Sequence, residues 1–454
     1  MTPESLKKKI IPYAIEAYLS TSFLKFKRKL FEAKIALLPW RDEIIFYHRL
    51  NDPYSCLLLN SLMQMDKKYQ VKVKVELLFD LADAYNPEPK KMAKYALKDA
   101  TQLAKQKHIN ISEFKKTPSR RNTFQATACL LEQMPKGSNK AKRLHFLQLV
   151  SELTGALWGH STTTLESCLN RYGSLSERKA KKTLDKAQAR LLLNGHYTSA
   201  MIYYGGEWYW GVDRLDYLLE RLNDTQIKTT ATTSFADNYL SLTLKLPTQK
   251  CSVDFYFSFR SPYSYLAAEQ MFKLASKYQF DINIKAVLPM VMRGFKIPKN
   301  KRLYIAKDAK RESLKLGIPF GRICDPISDS IELCMALLPF AKSESKERAY
   351  ISSISRGIWS EGADLTNDEV LGNLLNRAGL NLTSAKQWLT KPEWRAQAEE
   401  NQIELERLGL WGVPTLVCDN TVVWGQDRLW IIEDAIKNYK IKKKSVVSPS
   451  LKRV

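Results

Sequence analysis

Along the chain the apolar positions change their period in a definite order. Ser252–Phe259 (SVDFYFSF) is a short β-branched and aromatic run, the pattern of a buried strand. Pro262 follows, and Leu266, Ala267, Met271, Phe272 and Leu274 then supply one helical face. The helix is predicted to open at the proline, where a missing N–H costs no bond. Ile282–Val287 predicts a second strand, and from about Lys301 to Arg407 the pattern is mostly helical. Short strands are predicted around Thr415–Cys418 and Thr421–Trp424, with a last helix from about Asp427. The order is strand, helix, strand, long helical stretch, strand, strand, helix.

The first half carries the same landmarks. DPYSC at 52–56 resembles SPYSY at 261–265, and Tyr95–Ala100 (YALKDA) resembles Tyr304–Ala309 (YIAKDA). Leu157-Trp158 resembles Ile358-Trp359, and Trp210–Leu215 (WGVDRL) resembles Trp424–Leu429 (WGQDRL). The offsets are 209, 209, 201 and 214 residues, so four landmarks recur in one order at nearly constant spacing. The element order is of thioredoxin type with the helical insertion of the DsbA-like branch. The expected fold class is therefore α/β, with two tandem thioredoxin-like (DsbA-like) domains, each with a large helical insertion. The expected organisation is a basic helical segment at 1–40, a degenerate domain at 41–223, a Thr-rich linker at 224–250, a second domain at 251–440 and a basic disordered tail at 441–454.

Length and composition fit this picture. A chain of 454 residues allows two or three domains, and 44% hydrophobic with 26% charged residues is ordinary globular composition. No apolar run is long enough to span a bilayer, and the N-terminus lacks the apolar core and cleavage site of a signal peptide. The seven cysteines (Cys56, Cys129, Cys168, Cys251, Cys324, Cys334, Cys418) are odd in number and contain no C-x-x-C pair. That argues against a disulfide framework, a zinc ribbon or a dithiol redox centre, and reduced thiols in a cytoplasmic protein are expected. The five histidines all lie in the first half, and none is spaced with carboxylates as a metal site, so no metal is expected.

Charge changes the picture at two places. The net charge is +24, with +5 in residues 1–40 and +7 in residues 437–454. Such ends permit binding to an anionic membrane surface or to nucleic acid. For the first segment (LKKKIIPYAIEAYLSTSFLKFKRKLF) two readings stand: an interfacial helix, or, favoured, a helix docked on the following domain with a solvated basic face.

Candidate chemistry centres on Ser261. It sits between a strand and a helix N-terminus, where unpaired N–H groups and the helix dipole favour an anion. Thioredoxin-fold oxidoreductases place a low-pKa cysteine there, whereas this chain has Ser261 and, three residues on, Ser264. Such a site cannot shuttle a disulfide. Its hydroxyl can donate a hydrogen bond to the thiolate of a bound ligand, or it can serve only as a helix N-cap. Gly412-Val413-Pro414-Thr415 favours the first: Pro414 stands where this fold carries a cis-proline, which would leave the Val413 backbone open to pair with an extended ligand.

Taken together, VDFYFSFRSPYSYLA at 253–267, LYIAKDAKRESLKLGIPF at 303–320, IWSEGADL at 358–365, GVPT at 412–415 and WGQDRL at 424–429 resemble the 2-hydroxychromene-2-carboxylate isomerases and kappa-class glutathione transferases. The resemblance implies glutathione as cofactor. Ser261 would face its sulfur, Val413 beside Pro414 would pair with its cysteinyl backbone, and Trp424, Gly425, Gln426 and Asp427 would hold its γ-glutamyl end. Arg293, Asn300 and Lys301 would lie near an organic small-molecule substrate, and a cation there suits an aromatic carboxylate. The two copies would pair within the chain as a pseudo-dimer.

The first copy departs from this pattern. Asp52 stands where the second copy has Ser261, and a carboxylate raises a thiol's pKa, the wrong direction for activation. Tyr197, in Gly-His-Tyr-Thr, is expected at the position of Pro414. Yet Trp210, Gly211, Asp213 and Arg214 are retained, so the WG-x-DR-L element also has a structural role. Two functions compete: a glutathione-dependent isomerase or transferase, and a non-catalytic binding or scaffold protein with basic ends.

Overall fold

The computed structural model describes residues 3–37, 43–68, 72–111, 114–137, 139–224, 251–325, 329–389, 391 and 393–439. The expected linker, apart from Asp224 at a helix end, and the expected tail lie outside the described residues. The chain forms two compact units, the first from Met1–Asn238 with Met290–Ile323 and the second from Tyr239–Pro289 with Cys324–Val454. The helix Lys299–Leu316, within the second stretch of sequence, thus belongs to the first unit.

The second unit is built on β5 (Ser252–Phe257), β6 (Asp281–Ala286), β7 (Thr415–Cys418) and β8 (Thr421–Trp424), in the order β6-β5-β7-β8. The β5–β6 pair is parallel, and both β5–β7 and β7–β8 are antiparallel. The helix Pro262–Tyr278 makes the crossover between β5 and β6. β5 is a central strand, and its Val253, Phe255, Tyr256 and Phe257 are buried. Phe255, Phe257 and Phe259 stack edge to face with centroids 5.7 and 4.9 Å apart, each contact worth about 0.5–1.5 kcal/mol beyond burial. Six helices between Asp329 and Arg407 form the insertion.

The first unit holds β1 (Ile44–His48), β2 (Val73–Leu77), β3 (Met201–Tyr204) and β4 (Glu207–Trp210), in the order β2-β1-β3-β4. The pairings are again parallel, antiparallel and antiparallel. Each unit repeats one further contact. Trp158 Nε1 donates to the Leu50 carbonyl at 2.9 Å, and Trp359 Nε1 to the Phe259 carbonyl at 3.1 Å. The tryptophan landmark is therefore the side chain that pins the loop after the first strand of each sheet.

The repeated KDA and DR-L elements meet inside the first unit. Arg214 is 3% and Asp308 2% exposed, and the guanidinium forks onto the carboxylate at 2.9 and 2.8 Å. Glu312 accepts from Tyr217 Oη at 2.9 Å and lies 3.4 Å from Arg214 Nε. A dry, bidentate pair of this kind is costly to break because the remaining buried charge loses its forked partner and keeps only the longer contact, Glu312 for Arg214 at 3.4 Å or Arg311 for Asp308 at 3.6 Å. Ahead of β1, the helices Pro3–Leu19 and Thr21–Leu37 belong to the first unit and are tied to it through Glu16–Arg322 and Arg28–Glu207. Their exposed side chains are not only basic ones: Ile10, Ile11, Phe23, Phe26, Leu30 and Leu37 are exposed as well.

Asp308→Ala is expected to lower unfolding free energy by about 3–5 kcal/mol in urea titrations. An apolar double replacement, Arg214→Met with Asp308→Leu, should cost clearly less. Equal losses in the two variants would contradict this account of the pair.

Candidate functional site

The site of the second unit starts from the loop Ser258–Ser261. Three contacts hold it: the Trp359 indole on Phe259, the Arg260 fork on Asp325 at 2.8 and 2.9 Å, and the Ser261 N–H donating to Ser258 O at 3.0 Å. Ser261 is then the N-cap of the helix Pro262–Tyr278, with extended backbone, and its Oγ accepts from the Ser264 N–H at 3.1 Å. One of the helix's free amide donors is thereby satisfied. The hydroxyl donates at 3.5 Å to the Val413 carbonyl, a long contact that holds its hydrogen weakly. Ser261 and Val413 are both half-buried, whereas Pro262, Ser264 and Pro414 are buried.

The Val413–Pro414 bond is cis. Thr415 Oγ1 donates to Gly412 O at 2.8 Å, and the Gly425 N–H donates to Pro414 O at 2.9 Å. Gly425 has φ +99°, a left-handed turn that suits glycine, and leads into the 3-10 turn Gln426–Arg428. Gln426 is buried and donates to Asp427 Oδ1 at 2.6 Å. Gln270, on the helix that Ser261 caps, donates to Gln426 Oε1 at 3.2 Å. A continuous set of contacts thus joins Ser261, Val413, Pro414, Gly425, Gln426 and Asp427. Trp424 packs at a tilt against Trp411, with ring centroids 4.7 Å apart, and covers Gly412, where a Cβ would stand 2.5 Å from the indole. Gln270, Trp411 and Gly412 were not singled out from the sequence. Only Gly412 gave a signal there, as part of the GVPT turn.

Arg293, Asn300 and Lys301 lie in the first unit. Arg293 stacks on Phe295 at 5.3 Å, and Asn300 Nδ2 donates to Leu192 O at 3.2 Å. Lys301 lies 5.9 Å from the Tyr197 ring centroid, and burial lowers its ammonium pKa below the usual lysine range. Tyr197 itself stacks between His196 at 4.6 Å and Tyr85 at 4.9 Å. The Thr198 N–H donates to His196 Nδ1 at 3.4 Å, which puts the ring proton on Nε2, and burial holds this imidazole down to about 3. His48, fully buried, is held down to about 3 for the same reason.

One expectation about the first unit is corrected. Ala200, not Tyr197, occupies the place of Pro414: it directly precedes β3 as Pro414 precedes β7, and its carbonyl accepts from Gly211 N–H at 2.8 Å as that of Pro414 accepts from Gly425. Gly-His-Tyr-Thr looks like Gly-Val-Pro-Thr, but three more residues separate it from the equivalent point. Ala200 turns the chain with φ +56° instead of with a proline. Asp52 does stand at the N-terminus of the helix Pro53–Lys68, as Ser261 does for its own helix. Its Oδ1 accepts from the Tyr54 N–H at 3.1 Å, and its Oδ2 from Ser55 Oγ at 2.8 Å and Ser199 Oγ at 2.7 Å. That carboxylate is buried and fully engaged, so it offers no donor to a ligand.

The seven cysteines are all free, and burial pushes Cys56 and Cys418 up to about 12 and Cys129 up to about 11. None of these three is an activated thiol. Among the described residues no group of three or more His, Cys, Asp or Glu side chains is arranged to hold a metal ion.

The strand order, the helical insertion and the proline-bearing turn opposite a helix N-cap define the class. Residues 252–437 match the DSBA-like thioredoxin domain family, and this C-terminal part of the chain is a domain of that kind. Its homologues include 2-hydroxychromene-2-carboxylate isomerases. The Pseudomonas putida enzyme is 26% identical over 192 residues, covering 40% of this chain and 93% of the relative. That of Pseudomonas sp. (strain C18) is 24% identical over 192 residues, covering 40% of this chain and 89% of its own length. A solved 2-hydroxychromene-2-carboxylate isomerase is 25% identical, covers 41% of this chain and 94% of its own, and has a TM-score of 0.36.

Two outcomes are expected from this geometry. Gly412→Ala should displace the Trp424 indole, lowering stability by about 1–3 kcal/mol and shifting tryptophan fluorescence; an unchanged spectrum and melting curve would contradict the close approach. The buried neutral histidines give a pH dependence. Their folded pKa values lie below the unfolded value, so their contribution is complete above about pH 6.5 and is lost as pH falls towards 3. Urea stability should therefore fall on going from pH 7 to pH 5, by up to about 1.4 kcal/mol per pH unit for each histidine. His196→Asn should flatten that slope, and a slope it leaves intact would show that other groups set it.

Proposed function

We propose that the second unit is a glutathione-dependent isomerase or transferase of the 2-hydroxychromene-2-carboxylate isomerase type. The observation that carries this reading is the Ser261 hydroxyl. It is anchored as an acceptor by the Ser264 N–H and only loosely committed as a donor to Val413 O. The isomerase homologues of this domain support it. When bound, glutathione would supply a thiolate that adds to a conjugated double bond, allows rotation about the resulting single bond and leaves again without net redox change.

The chain's own residues fit such a ligand. Turned from Val413 O, the Ser261 hydroxyl donates to a sulfur anion, which lowers the thiol's pKa. The N-terminal dipole of the helix Pro262–Tyr278 acts in the same direction. The Val413 backbone, half-buried beside Pro414, can pair with an extended cysteinyl backbone. Trp424 and Gly425 shape the turn for a γ-glutamyl end, where Gln426 and Asp427 supply polar contacts and Asp427 pairs with the α-amino group. A carboxylate-binding role for Arg293, Asn300 and Lys301 is a separate proposal, because these residues belong to the first unit. We also read the two sheets as copies of one duplicated domain. Their identical strand order and the paired contacts of Trp158 and Trp359 support this. The first copy would have lost the ligand site, its donor replaced by the engaged Asp52 carboxylate.

Isothermal titration and thermal unfolding with millimolar glutathione test the reading. The parent chain is expected to bind and to be stabilised. A hydrogen bond to a charged group contributes about 1.5–3 kcal/mol, so Ser261→Ala should bind glutathione roughly ten- to a hundredfold more weakly above neutral pH. No binding by the parent, or equal binding by the variant, would leave a non-catalytic binding role as the better account.

A further inference from the structure

The helix Thr21–Leu37 has two distinct faces. Leu24, Arg28, Phe31 and Ile35 are half-buried and form its inner face. Arg28 forks onto Glu207 at 2.8 and 2.9 Å, the Phe31 ring meets Tyr204 at 5.5 Å, and Glu32 pairs with Arg221 at 2.7 Å. On the other side Phe23, Phe26, Leu30, Ala33 and Leu37 recur at spacings of three and four residues, all exposed, Phe26 by 57% and Leu37 by 80%. At 3.6 residues per turn these five fall within an arc of about 80°. Lys25 and Lys29 flank the stripe on one side and Lys27 and Lys34 on the other. The helix Pro3–Leu19 adds exposed Ile10 and Ile11, its Tyr18 meets Phe23 at 5.7 Å, and its Tyr13, also exposed, lies under Arg322 at 4.3 Å. Glu16 pairs with Arg322 of the first unit at 2.7 Å. Both carboxylates between residues 9 and 37 are thus in ion pairs with arginines elsewhere in the unit, whereas Lys25, Lys27, Lys29 and Lys34 form no ion pair among the described residues.

Of the fifteen large hydrophobic side chains exposed among the described residues, eight lie on these two helices, so the exposure is concentrated rather than scattered. We propose that Lys9–Leu37 is a docking surface for an anionic lipid bilayer. The apolar stripe would enter the headgroup–acyl boundary and the flanking lysines would meet lipid phosphates. No described helix is long and apolar enough to cross a membrane, so these helices would lie on it. A second copy of the same face would bring lysine rows together. A nucleic-acid backbone would meet the lysines and leave Leu30, Ala33 and Leu37 uncovered. A bilayer with acidic headgroups satisfies both features at once.

The test is co-sedimentation of the full chain with vesicles of phosphatidylcholine alone or mixed with phosphatidylglycerol, at low and high salt. The parent should bind the mixed vesicles, more weakly as salt rises. The triple variant Phe26→Ser, Leu30→Ser, Leu37→Ser should bind them about tenfold or more weakly with an unchanged melting curve, because these side chains are exposed. Lys25→Gln with Lys29→Gln should reduce binding to the mixed vesicles and leave any binding to neutral ones unchanged. Absence of binding by the parent overturns the proposal. So does full binding by the serine variant, since the basic stretch 437–454 would then suffice. Loss of self-association or of nucleic-acid retention in the serine variant, without loss of vesicle binding, assigns the stripe to that partner and also overturns it.

Discussion

A helix that starts just past the end of a central strand presents amide donors with no acceptor of their own, and the residue placed there decides what the site can do. In the second unit that residue is Ser261. Its oxygen meets the demand of the Ser264 amide, and its hydrogen is left with a 3.5 Å contact to Val413. The surrounding structure serves this arrangement. The Trp359 indole and the Arg260–Asp325 fork fix the loop, while Gly412, under Trp424, lets the proline-bearing turn come close.

The first unit meets the same demand in the opposite sense. Asp52 accepts from one amide and two serine hydroxyls, and every one of those contacts closes the position further. Two sheets of one strand order therefore end in sites of opposite polarity, a donor in one and a saturated acceptor in the other. This difference, more than the common strand order, makes the second unit the candidate for thiolate chemistry.

Much of this was legible in the sequence. The strands Thr415–Cys418 and Thr421–Trp424 and the helix opening at Pro262 are found where their period and punctuation put them. Ser261 and the GVPT turn were visible because an N-cap and an X-Pro turn are local features. Other features depend on long-range contacts that no local pattern encodes. The helix Lys299–Leu316 belongs with the first unit, where Asp308 meets Arg214, and no periodicity within the helix announces that partner. The place of Ala200 was missed because a left-handed alanine can do at that turn what a proline does in the other sheet. Composition revealed a basic N-terminal segment, but which of its faces is spent on the first unit became visible only with the ion pairs of Arg28, Glu32 and Glu16 in place.

The central claim is that the hydroxyl capping this helix steadies a sulfur anion. It is tested most directly by the ultraviolet absorbance of thiolate, followed across pH with glutathione bound to the parent chain and to Ser261→Ala. The account predicts a bound thiol that ionises well below the ordinary thiol pKa of about 8.5 in the parent and returns towards it in the variant. Identical ionisation in the two proteins, at the value of free glutathione, would contradict it.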